Sequence, residues 1–313
     1  MKQFKFADLC CGIGGFHIAC EREGGKCIQA CDIDDFGMHL YKLNYGLMPD
    51  KDMTKIIPVD EHLDLVCFGN PCQSFSTIGQ RKGLLDKRGR VFFSICKYLE
   101  QTNATSFIME NVKGLVQLNK SADFKRMLKR LEGLGYTLSY SILNAKNFGV
   151  PQSRERVYVV GHKNGIKFDF SRIPVDAKIR PLHNFLDKTK PDASLFSHRF
   201  DAFDLTTKPT LTKSGFLIKA ELGRYTEKRL FSSNGTIGTI MSSMSPFIYD
   251  ERHQVVRNLS ITELLRCQSF PTNFDFQNAS RSKALKYIGN AVCVNVIQAL
   301  VQEMKKQKCI ILK

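Results

Sequence analysis

FKFADLCCGIGGF, residues 4–16, is the stretch on which the fold turns. Its first half is a short, largely apolar run of the kind that forms a buried strand. Its second half carries Gly12, Gly14 and Gly15 and leads into a helix. Glycines between a strand and a helix allow a tight turn and let a ligand approach the backbone at the helix N-terminus. The spacing falls short of the full dinucleotide fingerprint, and a plain tight turn explains it equally well. Asp32, at the end of the next strand-like run, shifts the balance. A carboxylate there can hydrogen-bond ribose hydroxyls, which points to a nucleoside-containing cofactor.

Outward from this unit, apolar runs alternate with helical patterns. Strands are predicted at 4–9, 26–32, 63–68, 105–109, 137–143 and 156–161. Several are near-continuous hydrophobic runs, as expected of strands buried on both faces of a parallel sheet. The clearest helix is 121–132, with Ser121 as its cap, Phe124, Met127, Leu128 and Leu131 on one face, and Gly133 and Gly135 at its end. This alternation implies an α/β, doubly wound, mostly parallel sheet that binds ligands beyond the carboxyl ends of its strands. The texture changes after residue 163. Residues 164–256 hold Pro174, Pro181, Pro191, Pro209 and Pro246 among many Ser and Thr, which reads as short strands and turns. Helical patterning returns at 260–268 and 282–306.

The 313 residues are 43% hydrophobic and 24% charged, a globular balance that excludes the disordered class. No run approaches the roughly 18 apolar residues of a membrane span. MKQFKFADLC has no signal-peptide pattern, so a soluble, cytoplasmic protein with no membrane partner is expected. The net charge of +16 makes a polyanion the expected partner, nucleic acid first. The charge is clustered: Arg81, Lys82, Lys87, Arg88 and Arg90 face a single acid, Asp86, between 80 and 90. The eleven cysteines include no C-x-x-C pair, which argues against a disulfide framework and against a zinc site. Most should be small buried hydrophobes in a reducing compartment, and no metal is expected.

Three further segments carry chemistry-bearing residues. GNPCQSFS, 69–76, follows the strand LDLVCF, so Cys72 sits where a sheet strand ends. A loop thiol there can be activated by backbone N–H groups or cations, although a structural cysteine fits the position too. MENVKG, 109–114, offers Glu110 and an amide at another strand end. QSRERVYVV, 152–160, sets Arg154 and Arg156 at alternate positions, able to point to one face.

In this order the four elements resemble the carbon-5 cytosine DNA methyltransferase family of bacterial restriction–modification type. RNLSITELLRCQSFP at 257–271 is similar to the family's late recognition-side motif, and YIGNAVCVNV at 287–296 to its final motif. The resemblance covers nearly the whole chain outside about 165–235. It implies a Rossmann-like S-adenosylmethionine-dependent methyltransferase with a catalytic and cofactor-binding domain at 1–175 plus 282–313. A smaller, strand- and loop-rich target recognition domain would occupy 176–281.

The resemblance also implies roles. Cys72 would add to carbon-6 of a flipped-out cytosine. Glu110 would hold a proton at ring nitrogen 3, Arg154 would bind the ring carbonyl oxygen, and Arg156 would support the site. S-adenosylmethionine, with S-adenosylhomocysteine as product, would be held by Asp8, Cys10, Gly12, Gly14 and Gly15 of the first motif. Asp32 would bind ribose with Ile33 beside the adenine, Asp52 and Met53 would flank the adenine, and Pro71, Asn290, Ala291 and Val292 would complete the pocket. Double-stranded DNA would meet Gln73, Ser76, Arg81, Lys82, Arg88, Arg229 and Thr239. Such an enzyme would act as a monomer, with a cognate restriction endonuclease as its functional counterpart. Cys10 and Ile33 stand where the family often has aromatic rings, and Asn70 stands before Pro71 where Phe or Pro is common. The alternatives are a transfer-RNA cytosine-5 methyltransferase, whose usual Cys-Phe-Thr segment is absent here, and a non-catalytic DNA-binding relative, which would be expected to lack Cys72, Glu110 or Arg154.

Overall fold

A computed structural model describes residues 3–69, 89–117, 121–176, 178–197, 210–212, 215–220 and 229–311. The chain divides into two compact units. One comprises Met1–Leu143, Glu155–Pro174 and Val296–Lys313, and the other Asn144–Arg154 and Val175–Asn295.

The first unit follows the alternation read from the sequence: β1 (Phe4–Leu9), α1 (Gly15–Arg22), β2 (Gly25–Cys31), α2 (Asp35–Tyr45), β3 (Leu65–Phe68), α3 (Gly89–Thr102), β4 (Ser106–Val112), α4 (Gly114–Gln117), α5 (Ala122–Glu132), β5 (Thr137–Asn144) and β6 (Glu155–His162). The sheet order is β2-β1-β3-β4-β6-β5. β1 lies parallel to β2 and β3, and β3 parallel to β4. β6 runs antiparallel to β4. The central strands are apolar on both faces because helices cover both, and every residue of β3 is buried. The core joins Val66, Phe68, Phe107 and Met109 of the sheet to Phe92, Ile95 and Leu99 of α3 and to Phe124, Met127 and Leu131 of α5.

Ser121 does not cap α5 as the sequence suggested. It adopts a left-handed backbone, and its hydroxyl donates to the Val116 carbonyl instead. The local hydrogen bond to the preceding turn outcompetes the cap. The ten described cysteines are all free thiols, and eight are buried.

The second unit holds a five-stranded sheet, β11-β10-β9-β8-β7, from β7 (Thr210–Thr212), β8 (Gly215–Ala220), β9 (Arg229–Ser232), β10 (Phe247–Asp250) and β11 (Val255–Arg257). α6 (Ile261–Cys267) and α7 (Arg281–Asn290) follow. The helical stretch at 282–306 is broken at Ala291, whose extended backbone ends α7, and α8 (Val294–Lys306) starts afresh. Residues 281–306 together have the length and apolarity of a membrane span, contrary to the sequence reading. That window is nonetheless 67% buried within the protein, as a core helix would be. The compact units also assign 144–154 and 282–295 to the second unit, whereas the sequence grouped them with the catalytic domain.

A buried polar network braces this unit. Arg257 pairs with Asp250 at 2.9 Å and with Glu263 at 2.7 Å, all three shielded from solvent. Glu263 also accepts the Ser260 N–H at 2.7 Å, and Ser260 Oγ accepts the Glu263 N–H at 3.2 Å, a capping box on α6. Arg257→Leu strands two buried carboxylates without their counter-charge, which costs about 3–5 kcal/mol. The expected outcome is a lower urea midpoint than wild type. An unchanged midpoint would show the network to be dispensable.

Candidate active site

Among the described residues, the carboxyl edge of the first sheet gathers Asp8, the glycine turn, Asp32, Ile33, Glu110 and Arg156. β1 ends at Leu9, and the chain turns through left-handed Cys10, Gly12 and Gly14 before α1 begins at Gly15. A left-handed conformation is costly for any side chain beyond glycine, so Cys10 is held there by its surroundings. Burial raises its thiol well above the ordinary range, and it packs as an apolar group. A Cβ on Gly14 would lie 2.4 Å from the Tyr45 ring, whereas one on Gly12 would meet nothing within 4 Å.

Asp32 locks this turn from the neighbouring strand. Its carboxylate accepts the Gly12 N–H at 2.7 Å and the Asp34 N–H at 3.0 Å. Burial pushes the Asp32 carboxyl above its usual range, opposed by those two N–H groups. Ile33, next to it, is 75% exposed, an apolar side chain presented to whatever binds there. The Asp32 N–H donates to the carbonyl of Asp50. Asp52 accepts both the N–H and the hydroxyl of Thr54, and Met53 points into the hydrophobic core. Thus Gly12, Asp32 and Ile33 stand together at the ends of β1 and β2, while the Met53 side chain packs inward.

Asp8 lies beneath the turn with no solvent exposure. Tyr41 donates to its Oδ2 at 3.3 Å, and Tyr41 Oη lies 2.6 Å from His17 Nδ1. Burial raises the Asp8 carboxyl well above the ordinary value and lowers His17. Neither His17 nor Tyr41 stood out in the sequence. His17 falls in the apolar pattern after the glycines, where a core position is the simplest account.

Glu110 and Arg156 meet across the antiparallel pair. Glu110 is registered with Tyr158, and Val112 with Arg156, so Glu110 and Arg156 are diagonal neighbours on one face. Arg156 Nε is 3.2 Å from Glu110 Oε1, an ion pair whose alignment falls short of a hydrogen bond. Gly69, just past β3, lies beside Glu110: a Cβ there would be 3.7 Å from its Oε2. Cys72, with Pro71, Gln73, Ser76, Arg81, Lys82 and Arg88, lies outside the described residues.

Arg154 is engaged differently. It is 4% exposed and donates to the carbonyls of Ile240 at 3.3 Å, Gly289 at 3.1 Å and Ala291 at 2.8 Å. The geometry therefore sets Arg156 beside Glu110 and Arg154 against backbone carbonyls within the second unit. Gln152, given no role from sequence, adds to these contacts by donating to Cys267 O at 3.1 Å and accepting the Ile240 N–H at 3.0 Å. Gly289 lets α7 approach Met241, whose carbonyl carbon would be 2.3 Å from an added Cβ. Asn290 is exposed, Ala291 half-buried and Val292 buried. Thr239 donates its hydroxyl to Ser153 O at 2.8 Å, and Arg229 begins β9 half-buried.

Comparison with known proteins bears on this arrangement. The model of the C-5 cytosine-specific DNA methylase family matches residues 4–306. The chain is 34% identical over 313 residues to the type II methyltransferase M.DsaV of Dactylococcopsis salina, covering 97% of this chain and 86% of that protein. It is 33% identical to the type II methyltransferase M.HpaII of Haemophilus parainfluenzae, covering 95% and 88%. Among solved structures, S. pombe Dnmt2 methyltransferase matches with a TM-score of 0.74 at 19% identity, covering 97% of this chain and 99% of that one. The Entamoeba histolytica methyltransferase EhMeth matches with 0.74 at 17%, covering 98% and 99%. These two likenesses concern the fold.

The turn geometry separates the two glycines. Ala at position 12 meets only the left-handed backbone cost, about 1–2 kcal/mol. Ala at position 14 adds a collision with Tyr45, so Gly14→Ala should melt at a clearly lower temperature than Gly12→Ala. Equal melting temperatures would contradict the packing described.

Proposed function

The chain belongs to the C-5 cytosine-specific DNA methylase family, and from that premise we propose that it methylates a flipped cytosine in duplex DNA through a covalent Cys72 adduct. The observation that carries the reading is the Glu110–Arg156 pair at the carboxyl edge of the sheet, beside Gly69. Covalent geometry alone keeps the Cα of Cys72 within roughly 11 Å of that of Gly69. A nucleophile, an acid and a guanidinium thus belong to one neighbourhood.

The roles follow from the chemistry. Carbon-5 of cytosine is a poor nucleophile, and addition of the Cys72 thiolate to carbon-6 makes it enamine-like. Glu110 holds a proton at ring nitrogen 3 and offsets the charge that develops. Arg156, already against Glu110, takes the ring carbonyl oxygen, and Arg154 holds the supporting backbone. The carbon-5 proton then leaves and Cys72 is eliminated. S-adenosylmethionine supplies an electrophilic methyl group when bound. Asp32 receives its ribose hydroxyls, Ile33 lies against its adenine, and Asp8, Cys10, Gly12, Gly14 and Gly15 form the turn it approaches. The family resemblance assigns Asp52, Met53, Pro71, Asn290, Ala291 and Val292 to cofactor binding as well. The donor set fits: an ionised acceptor already ordered by two N–H groups, beside an exposed apolar side chain.

Extrusion of the base costs a few kcal/mol. Phosphate contacts from the basic segment containing Arg81, Lys82 and Arg88 offset part of it. Gln73 and Ser76 adjoin the nucleophile, and Arg229 and Thr239 belong to the unit that reads sequence. The enzyme works inside the cell as a monomer and protects a site that a partner endonuclease cuts.

Three measurements test this reading. Labelled S-adenosylmethionine should transfer its methyl to duplex DNA and not to transfer RNA, and Cys72→Ser should abolish transfer. Label in transfer RNA alone, or full activity of the variant, refutes it. Arg156→Met should lower kcat about 100-fold with stability preserved. Arg154→Met should instead cost about 1–3 kcal/mol of stability by orphaning three carbonyls. The opposite pattern would restore the sequence-based roles. Finally, S-adenosylhomocysteine affinity should weaken on acidification, beginning above the ordinary Asp range of about 3.9. The carboxylate that accepts hydroxyls is lost as pH falls through its raised pKa, although the burial penalty on the ionised folded state is relieved in the same window. Asp32→Asn should bind weakly with a flat profile.

A further inference from the structure

The glycine turn stands on a buried chain of polar groups that leads to the surface. Asp8 Oδ2, Tyr41 Oη and His17 Nδ1 are joined by contacts of 3.3 and 2.6 Å. His17 Nε2 then lies 3.0 Å from Glu21 Oε1, close but poorly aligned, and the Glu21 side chain is half exposed. Phe6, Tyr41 and Tyr45 enclose the His17 ring. No Lys or Arg forms an ion pair with Asp8 among the described residues, and the nearby charge it feels is the like charge of Asp32. The remaining titratable groups facing it, the thiols of Cys10, Cys11, Cys27 and Cys67 and the hydroxyl of Tyr45, are pushed up by burial and stay neutral.

Donor bookkeeping allows this chain two states with the same number of protons. In one, Asp8 is a carboxylic acid donating to Tyr41, Tyr41 donates to His17 Nδ1, and the neutral imidazole keeps its proton on Nε2. In the other, His17 is doubly protonated and donates to Tyr41, which donates to an ionised Asp8. Passage between them moves the Asp8 proton to Tyr41 Oη and the Tyr41 proton to His17 Nδ1. Tyr41 ends neutral, Asp8 gains a negative charge and His17 a positive one beside Glu21.

We propose that Tyr41 and His17 form a relay that lets Asp8 ionise when a cation binds at the glycine turn. The cofactor pocket would thereby favour the sulfonium of S-adenosylmethionine over the neutral thioether of its product. The inference rests on the cofactor assignment above. Without a cation, burial disfavours the charged forms of both Asp8 and His17. A positive charge above the turn acts on Asp8 through a low-dielectric interior, where it is weakly screened. Loss of that charge on methyl transfer returns the proton to Asp8 and removes the attraction, which favours product exchange. His17 and Tyr41 are positioning residues in this scheme, since neither need touch the cofactor.

Tyr41→Phe keeps the ring packing and deletes the relay oxygen. Calorimetric Kd values for S-adenosylmethionine and S-adenosylhomocysteine should give a ratio that falls by about fivefold or more in the variant, mainly through weaker S-adenosylmethionine binding. A loss shared equally by both ligands means a purely structural role and overturns the proposal. In the wild-type protein, 15N NMR of the His17 ring, assigned with His17→Gln, gives a second readout. Sinefungin, which carries an ammonium group in place of the sulfonium, should make the ring doubly protonated, while S-adenosylhomocysteine leaves it neutral. Identical ring states with both ligands also overturn the relay. Wild-type protein that binds neither ligand overturns the cofactor assignment and the relay with it.

Discussion

The antiparallel insertion of β6 against β4 is the constraint on which the site depends. Running antiparallel to β4, it starts at the edge where β4 delivers Glu110, so its first residues lie at that edge. Its register sets Arg156 diagonal to Glu110 on the same face, and a slip of one residue would send Arg156 to the opposite side. Val157, Tyr158, Val159 and Val160 are all buried, so β6 is packed on both faces. The buried valines of β6 thus anchor the strand that carries Arg156.

The same edge concentrates carboxylates that an apolar core would exclude unless something satisfied them. Asp32 is accommodated by two backbone N–H groups, and through them it shapes the glycine turn. Asp8 is met by the Tyr41 hydroxyl and the His17 backbone N–H and by no cationic partner among the described residues. The thiols around it remain neutral and supply packing alone.

In the second unit, arginine acts as a structural element. Arg257 sits between Asp250 and Glu263, and Arg154 ties the carbonyls of Ile240, Gly289 and Ala291. The planar guanidinium, with five donors in a fixed fork, suits such multi-point bracing better than lysine would. Residues 257–271, read in sequence as a motif on the recognition side, thus owe their composition to internal support. Glu263 caps α6 and pairs with Arg257, Arg266 pairs with Asp187 at 2.7 Å, and Gln268 donates to Ile288 O at 3.0 Å.

The order of strands and helices in the first unit, the glycine turn and the presence of an acid, Asp32, at the end of the next strand were legible in the sequence. Each depends on local periodicity or on a residue type that few others can replace. Motif order likewise sufficed to identify the family. Side-chain partnership was not legible, because it depends on contacts between segments far apart in the chain. Alternate spacing made Arg154 and Arg156 equivalent, and only the β4–β6 register and the carbonyls of 240–291 gave them different work. Ser121 had the composition of a cap, yet the carbonyl of Val116 claimed its hydroxyl. His17 and Tyr41 were invisible because a buried polar residue in an apolar pattern declares its purpose only through its neighbours. The sequence by itself determined the architecture and the residue types that chemistry requires; the tertiary structure decided which of them meet, since hydrogen bonds and ion pairs are set by distances that chain order does not encode.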